Sequence, residues 1–102
     1  MVYKVVWTLE ALQTYLQVIS YLEHKWTERE VKNFARGVED KINLLKRFSG
    51  IGSPFDKKRK LRKTLVHKQV QLYYRIKPQK RQVELVSFWN TYQNPNKLRR
   101  LR

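Results

Sequence analysis

The chain has 102 residues, 41% of them hydrophobic and 13% aromatic, enough for one modest core and too apolar for a chain disordered throughout. It holds 23 Lys/Arg against 8 Asp/Glu, a net charge of +15, and no cysteine, which excludes disulfide and cysteine–zinc frameworks. No apolar run reaches the roughly 20 residues of a membrane helix, and "MVYKVVW" is too short and too soon polar for a secretory signal. A single cytoplasmic domain, 1–102, without membrane association is therefore expected.

The first element in chain order is "VYKVVW", residues 2–7, β-branched or aromatic at nearly every position and closed by Thr8; it predicts a short strand followed by a helix N-cap. From Leu9, the residues Leu12, Tyr15, Leu16, Ile19, Leu22 and Trp26 recur every three or four positions, which predicts an amphipathic helix. "TERE" then places Thr27 three residues before Glu30, the spacing of a capping box, so a second helix begins there. Val31, Phe34, Val38, Ile42 and Leu45 continue the helical period, and Ser49-Gly50 supplies a residue able to close the helix at positive φ. Strand and helical hairpin make up the first half.

Charge separates the halves. Residues 1–50 hold eight Lys/Arg against six Asp/Glu, whereas residues 51–102 hold fifteen against two. An excess this uneven points to a face directed at nucleic acid or an acidic partner. "GIGSP" reads as a loop, and the basic run Lys57–Lys63 leads into a strand, "LRKTLV". In "QVQLYYRIK" the residues Val70, Leu72, Tyr74 and Ile76 alternate with Gln71, Tyr73, Arg75 and Lys77, the pattern of a half-buried strand. "QVELVSFW" puts Val83 and Leu85 on one face and Val86 and Phe88 on the other, so it is expected inside the sheet. About 93–102 reads as a flexible basic tail.

The fold class that follows is α+β: a strand, a helical hairpin, then a three-stranded antiparallel meander, with the helices on one face of a twisted sheet. The other face is expected to stay partly open, presenting Gln71, Tyr73 and Arg75 with Arg62 nearby.

Catalytic chemistry has few candidates. His24 and His67 read as ordinary surface residues, the glycines form no phosphate-cradling motif, and neither metal site nor cofactor is expected. What remains is cationic and phenolic chemistry on phosphate. Cleavage of RNA through its own 2′-hydroxyl needs a proton acceptor, cations around the phosphorane and a donor to the leaving oxygen. Lys57, Lys58, Arg59, Lys60, Arg62, Lys63 and Arg75 supply charge, and Tyr73, Tyr74 or Tyr92 supplies a stacking ring or an acid. The same residues serve equally for phosphate binding without cleavage.

The stretch "WTLEALQTYLQVISYLEHKWTEREVKNF", the strand "VQLYYRI" and the closing "FWNTYQNPNKL" resemble the RelE/ParE superfamily of bacterial toxins over nearly the whole chain. The resemblance implies a toxin of a type II toxin–antitoxin system, of plasmid-stabilisation type, silenced by a cognate antitoxin. RelE-like members cleave ribosome-bound mRNA, and ParE-like members share the fold and poison DNA gyrase; both targets stay open. It also implies roles. Arg62 matches a family cation, Lys57–Lys60 match lysines flanking the nuclease groove, and Tyr92 stands where a C-terminal catalytic tyrosine would, making Arg62, Arg75 and Tyr92 the candidate catalytic set. Lys57, Lys58, Arg59, Lys60, Lys63 and Tyr73 are the candidate nucleic-acid contacts. Gln71, however, occupies the position of the nuclease arginine.

Overall fold

The computed structural model describes residues 2–91. Strand β1 (Lys4–Trp7) is followed by helices α1 (Leu9–Lys25) and α2 (Glu28–Arg47), a 3-10 turn at Ser49–Ile51, then β2 (Ser53–Asp56), β3 (Leu61–His67), β4 (Val70–Lys77), a 3-10 turn at Pro78–Lys80, and β5 (Gln82–Asn90). The strands form one sheet in the order β1-β5-β4-β3-β2. Strands β2 to β5 pair antiparallel, and β1 lies parallel to β5, so the sheet is mixed rather than wholly antiparallel. The expected meander is present with one strand more. Ser53 and Pro54, expected within a loop, join Phe55 and Asp56 as β2 because they reach the edge of β3, and Pro54 is tolerated there as an edge-strand residue.

Both helices start where hydroxyls satisfy orphan amides. Thr8 Oγ1 accepts from Ala11 N at 3.0 Å and Thr27 Oγ1 from Glu30 N at 3.3 Å, each cap contributing on the order of 1 kcal/mol. Thr8 has a second task. Strand β1 ends at Trp7 opposite Leu85, leaving the outer edge of β5 without a strand partner beyond that point. The Thr8 hydroxyl donates to Leu85 O at 2.8 Å, and Thr14 Oγ1 accepts from Phe88 N at 2.9 Å, so α1 completes the edge that β1 leaves open. The positive-φ glycine expected after α2 is absent: no described glycine has φ above zero, and Phe48 caps the helix before the 3-10 turn.

The helices cover one face of the sheet. Ala11, Val18 and Leu22 of α1 and Phe34, Val38 and Leu45 of α2 meet Leu72, Tyr74, Val83, Leu85 and Phe88 in a single buried cluster. Helix α2 sits close on β3, since a Cβ at Gly37 would lie 2.7 Å from Val66 O. A smaller cluster of Leu61, Tyr73, Val86 and Trp89 forms on the opposite face. The placement of Phe88 corrects the sequence pattern. A bulge at Val86 shifts the register, with Tyr73 opposite Ser87 but Tyr74 opposite Leu85, and this returns Phe88 to the helix-covered side alongside Val83 and Leu85.

Candidate nucleic-acid surface

The cations nominated from sequence do not converge. Arg62 stands opposite Tyr74, on the helix-covered side of the sheet, whereas Arg75 shares the other side with Tyr73 and Gln71. Each guanidinium is held by the chain's own oxygens. Arg62 Nη2 donates to Gly50 O at 3.0 Å and to Gly52 O, fastening the segment between α2 and β2. The Tyr74 hydroxyl reinforces that anchor, donating to Ser49 O at 2.8 Å and accepting from Gly52 N at 2.9 Å. Arg75 Nε donates to Arg59 O at 2.8 Å, and its Nη1 lies 3.2 Å from Glu84 Oε1. Lys77 Nζ reaches the other Glu84 oxygen at 3.0 Å. Burial tends to raise the Glu84 pKa, but the hydrogen bonds from Lys77 and Arg75 outweigh it and hold the carboxyl below its usual range.

Tyr73 is not presented for stacking. Its side chain is 2% exposed and packs edge-on to Phe55 with ring centroids 4.8 Å apart, and burial raises its phenol pKa. The alternation that put Tyr73 on the polar side was read correctly; what covers that side, including Phe55 from β2, was not visible in it. Lys63 also joins Gln71 on this side, with Nζ 5.6 Å from the Phe55 ring centre. An open groove of about 320 Å³ runs beside it, lined by Ile51, Gly52, Ser53, Lys63, Leu65 and Gln71 among others. It offers one cation, an amide, the hydroxyls of Ser53 and Thr64 and apolar walls, with no carboxylate or imidazole in its lining among the described residues. Tyr92 and the basic tail lie outside the described residues.

His67 is no ordinary surface residue. Its ring meets Phe34 and Trp26 edge-on at 5.9 and 5.7 Å, and its Nε2 lies 3.5 Å from Glu30 Oε2. Lys68 Nζ approaches the same oxygen at 3.0 Å and stands 4.8 Å from the Trp26 ring centre. The Glu30 carboxylate therefore faces β3 and the turn after it, and Lys68 first, then His67, holds its pKa below the usual range.

The remaining nominated cations, Lys57, Lys58, Arg59 and Lys60, form the exposed turn between β2 and β3. The structure adds a second basic turn, Pro78–Arg81, that sequence reasoning did not nominate. The available signal was topological: in an antiparallel meander, alternate turns fall at the same end of the sheet.

A short N-terminal strand, a helical hairpin and a sheet that this strand joins through β5 define the fold. Among solved structures, a chain of the RelBE2 toxin–antitoxin complex from Mycobacterium tuberculosis matches with a TM-score of 0.62 at 21% identity, over 88% of this chain and 99% of that one. No family model matches the chain, and no curated protein matches it.

Proposed function

We propose that the protein is the toxin of a type II toxin–antitoxin pair, neutralised by a cognate antitoxin, and that it acts by binding its target rather than by cutting RNA. The shared fold supports the toxin reading. The observation that carries the non-cleaving reading is the separation of Arg62 and Arg75 onto opposite faces, each tied to the chain's own oxygens. A nuclease of the RelE kind needs cations converging on one scissile phosphate. Gln71, where the family resemblance places the nuclease arginine, favours the gyrase-directed members over the RNA-cleaving ones.

Induction in a bacterial host tests both parts. Growth is expected to stop, and co-expression of the antitoxin encoded beside the toxin is expected to restore it. Pulse labelling should show DNA synthesis failing first, with mRNA 5′ ends unchanged and gyrase-dependent DNA breaks accumulating. Prompt arrest of translation with new codon-positioned mRNA ends would overturn the non-cleaving mechanism. Unimpaired growth at verified expression would overturn the toxin reading and leave a basic nucleic-acid-binding module.

A further inference from the structure

The strand register gathers the chain's basic turns at one end of the sheet. Lys4 is opposite Gln82 and Gln82 opposite Lys77, while Asp56 is opposite Leu61, so β1 and β5 start where β2 and β4 finish. The turn Lys57–Lys60 and the turn Pro78–Arg81 therefore project from the same end, as two tips separated by about two strand spacings, roughly 10 Å. Hydrogen bonds run across this end without a gap. Lys46 O accepts from Tyr3 N at 2.8 Å, Arg81 O from Lys4 N at 2.9 Å, and Arg59 O from Arg75 Nε at 2.8 Å, with Glu84 linking Arg75 to Lys77.

The two tips are built alike. Lys60 N donates to Lys57 O at 3.3 Å and Arg81 N to Pro78 O at 3.1 Å, and in each case the last residue is left-handed, with φ of 58° at Lys60 and 50° at Arg81. Glycine fits that backbone best. A long cation stands there twice instead. The only acids of residues 51–102, Asp56 and Glu84, are both at this end and both engaged: Asp56 with Arg59, Glu84 with Arg75 and Lys77. Lys57, Lys58, Lys60, Lys80 and Arg81 have no acidic partner among the described residues. Exposed Lys4 and Arg47 flank them. The helical hairpin differs, since residues 9–41 hold six acids against five Lys/Arg.

We infer that this end of the sheet is a two-pronged site for the phosphate backbone of duplex nucleic acid, with Lys60 and Arg81 at the tips. The prong separation is close to the ~12 Å width of the B-DNA major groove, so the tips reach phosphates on both of its sides. The site is distinct from the groove beside Gln71 and does not rest on the toxin reading. Phosphate contacts carry affinity without reading sequence, so the site should take duplexes of any sequence.

The test is fluorescence anisotropy of the full chain with short DNA and RNA duplexes of one sequence, titrated at several salt concentrations. Wild type should bind with a steep salt dependence. The double variant Lys60→Gly/Arg81→Gly should bind about tenfold more weakly and lose about two from the slope of log affinity against log salt, as expected for two lost phosphate contacts. Its thermal stability should be unchanged or higher, because glycine suits both positions. Lys25→Ala/Arg36→Ala removes the same charge from the helical hairpin and should leave affinity within about twofold. Equal loss in both double variants would overturn the inference in favour of net charge alone, as would failure of wild type to bind either duplex at low salt. Binding of DNA, RNA or both with the tip variant impaired supports it and names the source of the phosphates. Lys57→Gln/Lys58→Gln repeats the test without touching a left-handed residue. None of these readouts depends on toxicity.

Discussion

Among the described residues, three turns hold a basic residue in the left-handed conformation, and they serve two opposite ends differently. At one end, which the buried Phe34 seals, Lys68, with φ of 38°, is exposed but pairs with Glu30 and lies over the face of Trp26. At the other, Lys60 and Arg81 adopt the same backbone with no acidic partner among the described residues. The contrast teaches that backbone strain alone does not reveal purpose; the partner of the side chain does. Lys68 helps join the sheet to the helical hairpin, whereas Lys60 and Arg81 leave their charge facing outward.

The largest effect that would sharpen the comparison is at the sealed end. Phe34 is fully buried there between Tyr15 and His67, so Phe34→Ala is expected to lower stability by about 3–5 kcal/mol. Urea unfolding measures it; a loss as small as that of a surface substitution would mean that this end is not the structural anchor. A smaller effect compares the turns directly. Lys60→Gly relieves left-handed strain with no ion pair to lose and should raise stability by about 0.5–1 kcal/mol, while Lys68→Gly forfeits Glu30 and Trp26 and should gain less or lose. Equal gains at both positions would erase the distinction between the ends.

The smallest expected effect is in acid. Glu30 has its folded pKa depressed, so its contribution is present above the unfolded carboxylate range and is lost as pH falls through the folded value. Wild type should therefore lose stability below about pH 4.3, and Glu30→Gln should lose less over the same interval, seen as a flatter plot of melting temperature against pH. Identical slopes would show that the sealed end does not use this charge.

Much of the architecture was legible because it rests on local periodicity. Thr8 and Thr27 announced both helices, and the alternation from Val70 to Ile76 gave the correct buried side of β4. Local signals failed where the outcome depended on a neighbouring strand. Phe88 was assigned to the wrong side because a bulge at Val86 is set by pairing with β4. Ser53 and Pro54 read as loop in the sequence because a short stretch containing a proline becomes a strand only against β3. Among the site residues, Arg62 and Arg75 were grouped by residue type and proximity in sequence, although odd spacing in adjacent strands had already allowed them to face apart.

Composition and periodicity by themselves determined that this protein is α+β and that its positive charge resides in the second half. Only the tertiary structure decided which cations are available. Ion pairing and hydrogen bonding depend on a few ångströms between residues distant in sequence, so Arg62 and Arg75 are consumed by Gly50, Gly52, Arg59 and Glu84. The register of the meander brings Lys57–Lys60 beside Lys80 and Arg81, twenty residues apart in the chain and side by side at the end of the sheet.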